Sequence, residues 1–278
     1  MNQFGGSWTE EKMDIVVKYA AAYLKIMNSQ AWVIKTIYFD GFAGSGYIES
    51  SETDALKKGT SLRILDIAKP RPFDIYYFVE LNEEHKNTLE QNLINHPQRE
   101  NIHVVKDDCN TKLIALAKYL KNNKSYRALV YIDPYGMSVN WTSIETLKDL
   151  GVDLWILVPT GIGVNRMLTA TGSISESWMN KLEKFLGYSR EEIIKNFYKS
   201  KTDNTLFGEV VSVEKERNAV QLIGKLYKNK LLNIFSYVSK SFVMRNSQNS
   251  IMYHFMMATN NKTAIRIANE VIDPKYKL

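Results

Sequence analysis

Lys35-Thr-Ile-Tyr-Phe-Asp40-Gly-Phe-Ala-Gly-Ser-Gly46 is an apolar run that ends in an acid and breaks at once into glycine. The pattern reads as a buried strand feeding a tight turn. Glycines at 44 and 46 let the backbone approach a ligand with no Cβ in the way. A helix after such a turn offers free N–H groups. The dinucleotide fingerprint G-x-G-x-x-G is not completed, because Glu49 stands where its third glycine would fall. A pyrophosphate-bridged dinucleotide is therefore disfavoured. A compact aminoacyl-nucleoside fits Asp40, Phe42, Ala43, Gly44 and Gly46 better, and a turn without any ligand is the plainer alternative.

The same motif recurs along the chain. Asp74-Ile-Tyr-Tyr-Phe-Val-Glu80 is a second apolar strand ending in an acid, followed by a helical stretch from Asn82 to Ile94. Asn101 to Lys106 reads as a third strand, closed by Asp107 and Asp108, and Thr111 to Leu120 as its helix. Arg127 to Asp133 is a fourth strand, running into Pro134-Tyr-Gly136, and Val152 to Pro159 a fifth. Before them, Ile15, Val16, Tyr19, Ala22, Tyr23 and Ile26 recur at helical spacing, with Ser7 and Glu10 placed for a capping box. The segment Tyr47 to Arg71 reads as a loop plus a helix around Leu62 to Ala68.

Strands alternating with helices predict a mostly parallel sheet with right-handed crossovers. Their all-apolar character predicts helices on both faces. Near the end, Ser241 to Met244 and Ser250 to Met257 read as two strands around the polar turn Arg245 to Asn249, and Lys262 to Val271 as a last helix. The expected architecture is α/β: a Rossmann-like sheet, mostly parallel with an antiparallel last strand. It comprises residues 1–160 plus 241–278, with a mostly helical insertion or lid at 161–240. Trp178, Phe185, Phe197 and Phe207 are the expected core anchors of that insertion. Between Met179 and Lys240, 12 Lys and Arg face 7 Asp and Glu, so the insertion is a candidate substrate-recognition surface or simply a solvated basic face.

Composition narrows the function classes. The chain has 278 residues, 45% of them hydrophobic and 24% charged, which suits a folded α/β domain and argues against disorder. Cys109 is the single cysteine, which excludes an intrachain disulfide and argues against a zinc cluster. It also fits a reducing, cytoplasmic location. The start of the chain lacks a signal-peptide pattern, and the longest apolar runs are too short to span a bilayer. His85, His96, His103 and His254 show no metal-ligand spacing. The net charge of +6 and pI of about 9.1 permit a polyanionic partner.

Ligands of parallel sheets bind beyond the carboxyl ends of the strands, where Asp40, Glu80, Asp108 and Asp133 stand. Glu80 is placed to accept the hydroxyls of a ribose. Asp108, or Asp107 in its stead, with Asn110, is placed to accept an adenine amino group or to cap the next helix. The most informative element is Tyr131-Ile-Asp-Pro-Tyr-Gly136. Exocyclic amino nitrogens of nucleobases are poor nucleophiles, because the lone pair is delocalised into the ring. A methylating site needs an acceptor that holds the amino hydrogens and aims the lone pair. Asp133 can be that acceptor and the Pro134 carbonyl a second. Tyr135 can stack on an extruded base, and Gly136 leaves it room. The element resembles the Asp/Asn-Pro-Pro-Tyr signature of amino-directed methyltransferases, without the second proline. It also resembles the Asp-Pro-Phe/Tyr-Gly form of tRNA guanine methyltransferases.

A longer collinear set is similar to the three-Cys-motif partner protein family. Its pieces are Trp8-Thr-Glu-Glu-Lys12, Asp40 to Gly46, Tyr76 to Glu80, Asp133-Pro-Tyr-Gly-Met137, Asp153-Leu-Trp155, Gly161-Ile-Gly-Val-Asn-Arg166, Leu206-Phe-Gly208 and Arg245-Asn-Ser247. With its four elements in order the chain resembles class I methyltransferases, and the resemblance implies a Rossmann-like class I methyltransferase fold and a protein partner carrying a three-cysteine motif. Asn165 and Arg166, after the fifth strand, and Arg245 and Asn246, in the last turn, are candidate contacts to substrate or phosphate. Two readings follow. In the first, S-adenosylmethionine is the cofactor and an amino group of a base in DNA or RNA is methylated, with no metal. In the second, the fold binds a nucleoside without transferring a methyl group and serves a partner protein. A nuclease holding Mg²⁺ on the carboxylate rim is a third, weaker alternative.

Overall fold

The structure is a computed structural model and describes residues 7–49, 56–205 and 208–273. Helix α1 (Ser7–Asn28) leads into β1 (Lys35–Asp40). A short hairpin of β2 (Tyr47–Glu49) and β3 (Leu56–Lys58) and helix α2 (Thr60–Leu65) come next. Then β4 (Ile75–Glu80), α3 (Glu83–Leu93), β5 (Ile102–Lys106), α4 (Cys109–Asn122), β6 (Tyr126–Ile132), α5 (Trp141–Glu145) and β7 (Val152–Val158) alternate. After a π-turn at Thr160–Val164 come α6 (Asn165–Met167), α7 (Glu176–Leu186), α8 (Arg190–Phe197), the hairpin β8 (Tyr198–Thr205) and β9 (Gly208–Lys215), and α9 (Ala219–Leu232). Strands β10 (Tyr237–Val238), β11 (Phe242–Arg245) and β12 (Ile251–Thr259) and helix α10 (Lys262–Ile272) complete the described chain.

The main sheet runs β10-β12-β7-β6-β1-β4-β5, with β11 also paired to β12. Strands β5, β4, β1, β6 and β7 are mutually parallel, and β12 is antiparallel to β7. The fold is therefore the expected Rossmann-like α/β sheet with an antiparallel last strand. All seven residues of β7 are buried, which a strand covered on both faces requires. Side chains alternate between two cores. Tyr38, Tyr76, Phe78, Tyr131 and Trp155 pack under α1, α2, α3 and α10. Ile37, Phe39, Val130, Ile132 and Ile156 pack under α4, α5, α7, α8 and α9. Each large apolar side chain so buried contributes about 1.5–3 kcal/mol.

The stretch 161–240 departs from its expected form in two ways. It carries the β8–β9 hairpin, with eight residues in each strand, between its helices. Its helices also share one core with the parallel strands, so it clads a face of the sheet, and among its described residues only Ile162 lines the main cleft. Phe185 and Phe197 are buried as expected, but Trp178 is 42% exposed. The buried stripe of α7 is Met179, Leu182, Phe185 and Leu186, and Trp178 falls just off that helical spacing. Phe207, and Leu206 before it, lie outside the described residues. The capping box expected of Ser7 turns on a side chain that also lies outside them. Between Tyr47 and Arg71 the helix spans Thr60–Leu65, earlier than expected, and the small β2–β3 hairpin precedes it. Among the described residues, no helix is long and apolar enough to cross a membrane.

Candidate active site

The chain leaves β1 toward β4 on one side and returns later to β6 on the other. The order of strands reverses there, and a crevice opens beyond the carboxyl ends at such a point. A cleft of about 670 Å³ occupies it, lined by Asp40, Phe42, Ala43, Gly44 and Gly46 from the first turn. Asp133, Pro134, Tyr135 and Gly136 line it from the turn after β6. Two groups of residues singled out separately in the sequence thus face one another across a single space.

The Asp40 carboxylate is almost fully buried, accepting from the Phe42 N–H at 3.0 Å and the Ser61 hydroxyl at 3.1 Å. Burial pushes its pKa up to about 7, the two bonds oppose this, and the charges of Asp133 and Glu80 add to it. An unfolded chain would release that proton near pH 4. Between about pH 4 and about 7 the folded protein therefore holds more protons than the unfolded one, and stability falls as pH rises through this window. Urea titrations should show Asp40→Asn gaining on the wild type from pH 4 to pH 7 and staying level above it. A difference independent of pH would contradict the buried acid.

Glu80 braces the glycine turn. Its Oε2 accepts from the Gly44 N–H at 2.9 Å, and its Oε1 accepts from the Asn82 N–H at 2.8 Å. It stands behind the turn and is not among the residues lining the cleft. Gly44 and Gly136 both have φ of +63°, and a Cβ built on either meets no atom within 4 Å. Positive φ explains why glycine is needed, and the empty space shows that both turns present bare backbone to open room. Gly46 is different, since a Cβ there would come within 2.9 Å of Leu89.

The centre of the site is Asp133. Its Oδ2 receives two donors, the Lys12 ammonium and the Tyr131 hydroxyl at 3.0 Å. Its Oδ1 accepts from no group among the described residues, and the side chain is 27% exposed to the cleft. Beside it Tyr135 is 74% exposed, an aromatic ring lining the cleft that stacks on no other ring among the described residues. Lys12 is only 5% exposed and lines the same cleft. It was quoted above only within a motif and given no role. A signal for it existed, because Lys12 sits one turn ahead of Ile15 and Val16 and two ahead of Tyr19 on the apolar stripe of α1, where an unpaired charge is costly.

The remaining candidates are placed elsewhere. Asp108 caps α4, accepting from the Asn110 and Thr111 N–H groups at 2.9 and 3.2 Å. Asp107 pairs with Lys112 at 2.9 Å, and that bond holds its carboxyl below the usual range. The Asn110 amide donates to the Ser138 carbonyl and accepts from the Asn140 N–H, so it ties α4 to the loop after Gly136. None of the three lines the cleft. Asn165 and Arg166 lie in α6, away from it. The loop before them is pressed on β12, where a Cβ on Gly161 would lie 1.9 Å from the Ile251 carbonyl oxygen. Arg245 donates to the Asn249 carbonyl, and the Asn246 side chain accepts from the Gln248 and Ser250 N–H groups. Both residues build the hairpin turn. Sequence reasoning passed over several lining residues besides Lys12, notably Ser61, Tyr131 and Tyr253.

No family model matches the chain, and no curated protein matches it. Among solved structures, it is similar to Trm1 from Pyrococcus horikoshii, a complex with S-adenosyl-L-methionine, at 11% identity over 96% of this chain and 72% of that one, with a TM-score of 0.42. It is similar to protein LPL1258 from Legionella pneumophila at 13% identity over 90% and 97% of the two chains, with a TM-score of 0.39. The methyltransferase domain of METTL16 aligns at 12% identity over 71% and 66%, with a TM-score of 0.32. The assignment of the fold rests on the strand order and register of this chain itself.

Proposed function

We propose that this protein is an S-adenosylmethionine-dependent methyltransferase acting on an exocyclic amino group of a nucleobase in DNA or RNA. The observation that carries the proposal is Asp133, an acid at the switch point of the sheet with one oxygen held by Lys12 and Tyr131 and the other free toward the cleft. The cleft volume falls within the range of small-molecule sites. Bare backbone at Gly44 and Gly136 and the carboxylates of Asp40 and Asp133 suit a compact cationic nucleoside. When bound, S-adenosylmethionine would supply an electrophilic methyl group on its sulfonium. Phe42 to Gly46 would hold it, with Glu80 keeping that turn in shape.

The protein's own task is positioning. The free Oδ1 of Asp133 would accept one amino hydrogen and the carbonyl of Pro134, a lining residue, the second, which orients the nitrogen lone pair. The Tyr131 and Lys12 donors fix the carboxylate, so it need not reorganise during the reaction. Tyr135 offers its face to the base. Tyr135→Ala should weaken single-stranded oligonucleotide binding by about 1–3 kcal/mol, the worth of one stacked base. Calorimetric affinity for S-adenosylmethionine should stay unchanged, and equal loss of both would contradict a base-stacking role.

The resemblance to three-Cys-motif partner proteins adds a protein partner to this reading, and the chain's net charge of +6 favours a polyanionic substrate. The test is calorimetry with S-adenosylmethionine, followed by incorporation of labelled methyl into DNA, tRNA and rRNA pools. Absence of binding removes the proposal. Binding without incorporation into any pool makes the protein a nucleoside-binding module.

A further inference from the structure

The Lys12–Asp133 pair places a donor and an acceptor side by side on the cleft wall. One Lys12 N–H is spent on Asp133 Oδ2, and Tyr131 donates to that same oxygen. An ammonium carries three donors, and no other hydrogen-bond partner of Lys12 is found among the described residues. Its remaining donors and Asp133 Oδ1 therefore stand next to each other, in the cleft that the exposed Tyr135 also lines. The ammonium is nearly buried, so a polar group meeting it need not compete with bulk water.

This arrangement complements an amidine edge, an amino group beside an unprotonated ring nitrogen. Adenine presents it as N6 with N1 or N7, and cytosine as N4 with N3. Uracil and thymine place a carbonyl where the amino group should be. On its Watson–Crick edge guanine sets N1–H beside its amino group, so the ring N–H would meet the Lys12 ammonium donor to donor, and its other amidine edge, N2 with N3, lies against the sugar. Resting on the functional reading above, we propose that Lys12 is the specificity-determining residue of the site. It donates to the ring nitrogen of adenine or cytosine while Asp133 accepts from the adjoining amino group. The ion pair with Asp133 sets the ammonium in place, and the same contact leaves Asp133 a fixed hydrogen-bond acceptor.

The test uses nine-nucleotide single strands, thymine throughout or with one central adenine, cytosine or guanine, and the matching uracil-based RNAs. Binding to the full chain with S-adenosylhomocysteine is read by fluorescence anisotropy. The decisive probes are 1-deazaadenine, 7-deazaadenine and 3-deazacytosine, which keep the amino group and replace one ring nitrogen by carbon. Wild-type protein should bind the adenine or the cytosine strand at least about ten-fold tighter than all-thymine, and the deaza base at the edge being read should lose about ten-fold, the worth of one base hydrogen bond. With Lys12→Met, the parent and deaza strands should bind equally. The wild-type comparison of parent with deaza base needs no variant, so a poorly folded Lys12→Met does not rescue the proposal.

A deaza penalty of the same size in Lys12→Met, no deaza penalty in the wild type, or a guanine strand bound as tightly as the best other strand overturns it. If Asp133→Asn still abolishes the preference over thymine in those cases, the amino-group reading stands and only the role of Lys12 falls. If the wild type prefers no base over thymine, both fall together.

Discussion

Asp133→Ala is expected to lower methyl transfer about a thousand-fold while leaving S-adenosylmethionine affinity within a few-fold of wild type. The variant removes the one cleft carboxylate among the described residues with an oxygen that accepts no bond, and leaves the glycine turn untouched. That turn is braced from behind by Glu80 and buttressed by Asp40, neither of which bonds to Asp133. A complication is the Lys12 ammonium, nearly buried and left without its partner. Stranding a buried charge costs stability and can distort a site by itself. The double variant Lys12→Met with Asp133→Ala removes that charge. If the loss comes from the missing acceptor, the double variant is as inactive as the single one. Recovery of activity would show that the stranded lysine, not the absent acceptor, caused the defect.

Asp153→Ala should destabilise the protein by about 2–6 kcal/mol, from two buried hydroxyls left without an acceptor at about 1–3 kcal/mol each. Asp153 lies on β7 and is buried. Its Oδ2 accepts from the Tyr19 hydroxyl of α1 at 2.6 Å, and its Oδ1 from the Thr259 hydroxyl of β12 at 2.5 Å. Burial raises its pKa, while these two bonds pull it back down. The residue thus fastens three parts of the fold at one point. Tyr19→Phe removes one donor and leaves Thr259 in place, so it should cost about 1 kcal/mol. Urea unfolding midpoints give both values. An Asp153→Ala midpoint equal to wild type would mean that the hydroxyls find water instead. Tyr19 sits two turns beyond Lys12 on α1, so the Asp153 variant should also weaken the Lys12–Asp133 contact and reduce activity.

The fold was legible because its information is local. Strands such as Val152 to Val158 are apolar at nearly every position, and Asn82 and Asp108 stand one residue before their helices, where a cap belongs. The two glycine turns were legible for the same reason, since Gly44 and Gly136 follow an apolar run and an acid. Tertiary relations were not. Lys12 meets Asp133 across 121 positions of sequence, and only its odd place on an apolar stripe hinted at burial. Asp107, Asp108 and Asn110 have side chains suited to an adenine, but local backbone donors and Lys112 claimed the carboxylates and the loop after Gly136 claimed the amide. Arg245 and Asn246 were similarly taken up by their own turn. Polar residues next to a strand end are ambiguous for this reason: capping, turn formation and ligand contact ask for the same chemistry. In α7, Trp178 was read as an anchor from its size, whereas the register of the helix chose Met179.

The fastening of α1 has a consequence for the order in which the protein matures. Tyr19 is made well before the partners that seat it, Asp153 and the flanking Thr259 of β7 and β12, and before α10, which packs against the same helix. During synthesis the side of α1 that meets Asp153, Thr259 and α10 therefore stays uncovered until those parts have left the ribosome, while Leu62, Phe73 and Tyr76, made sooner, share the core of its other side. Lys12 is carried on the same helix, so the pocket wall beside Asp133 is settled only once β7 and β12 hold Tyr19.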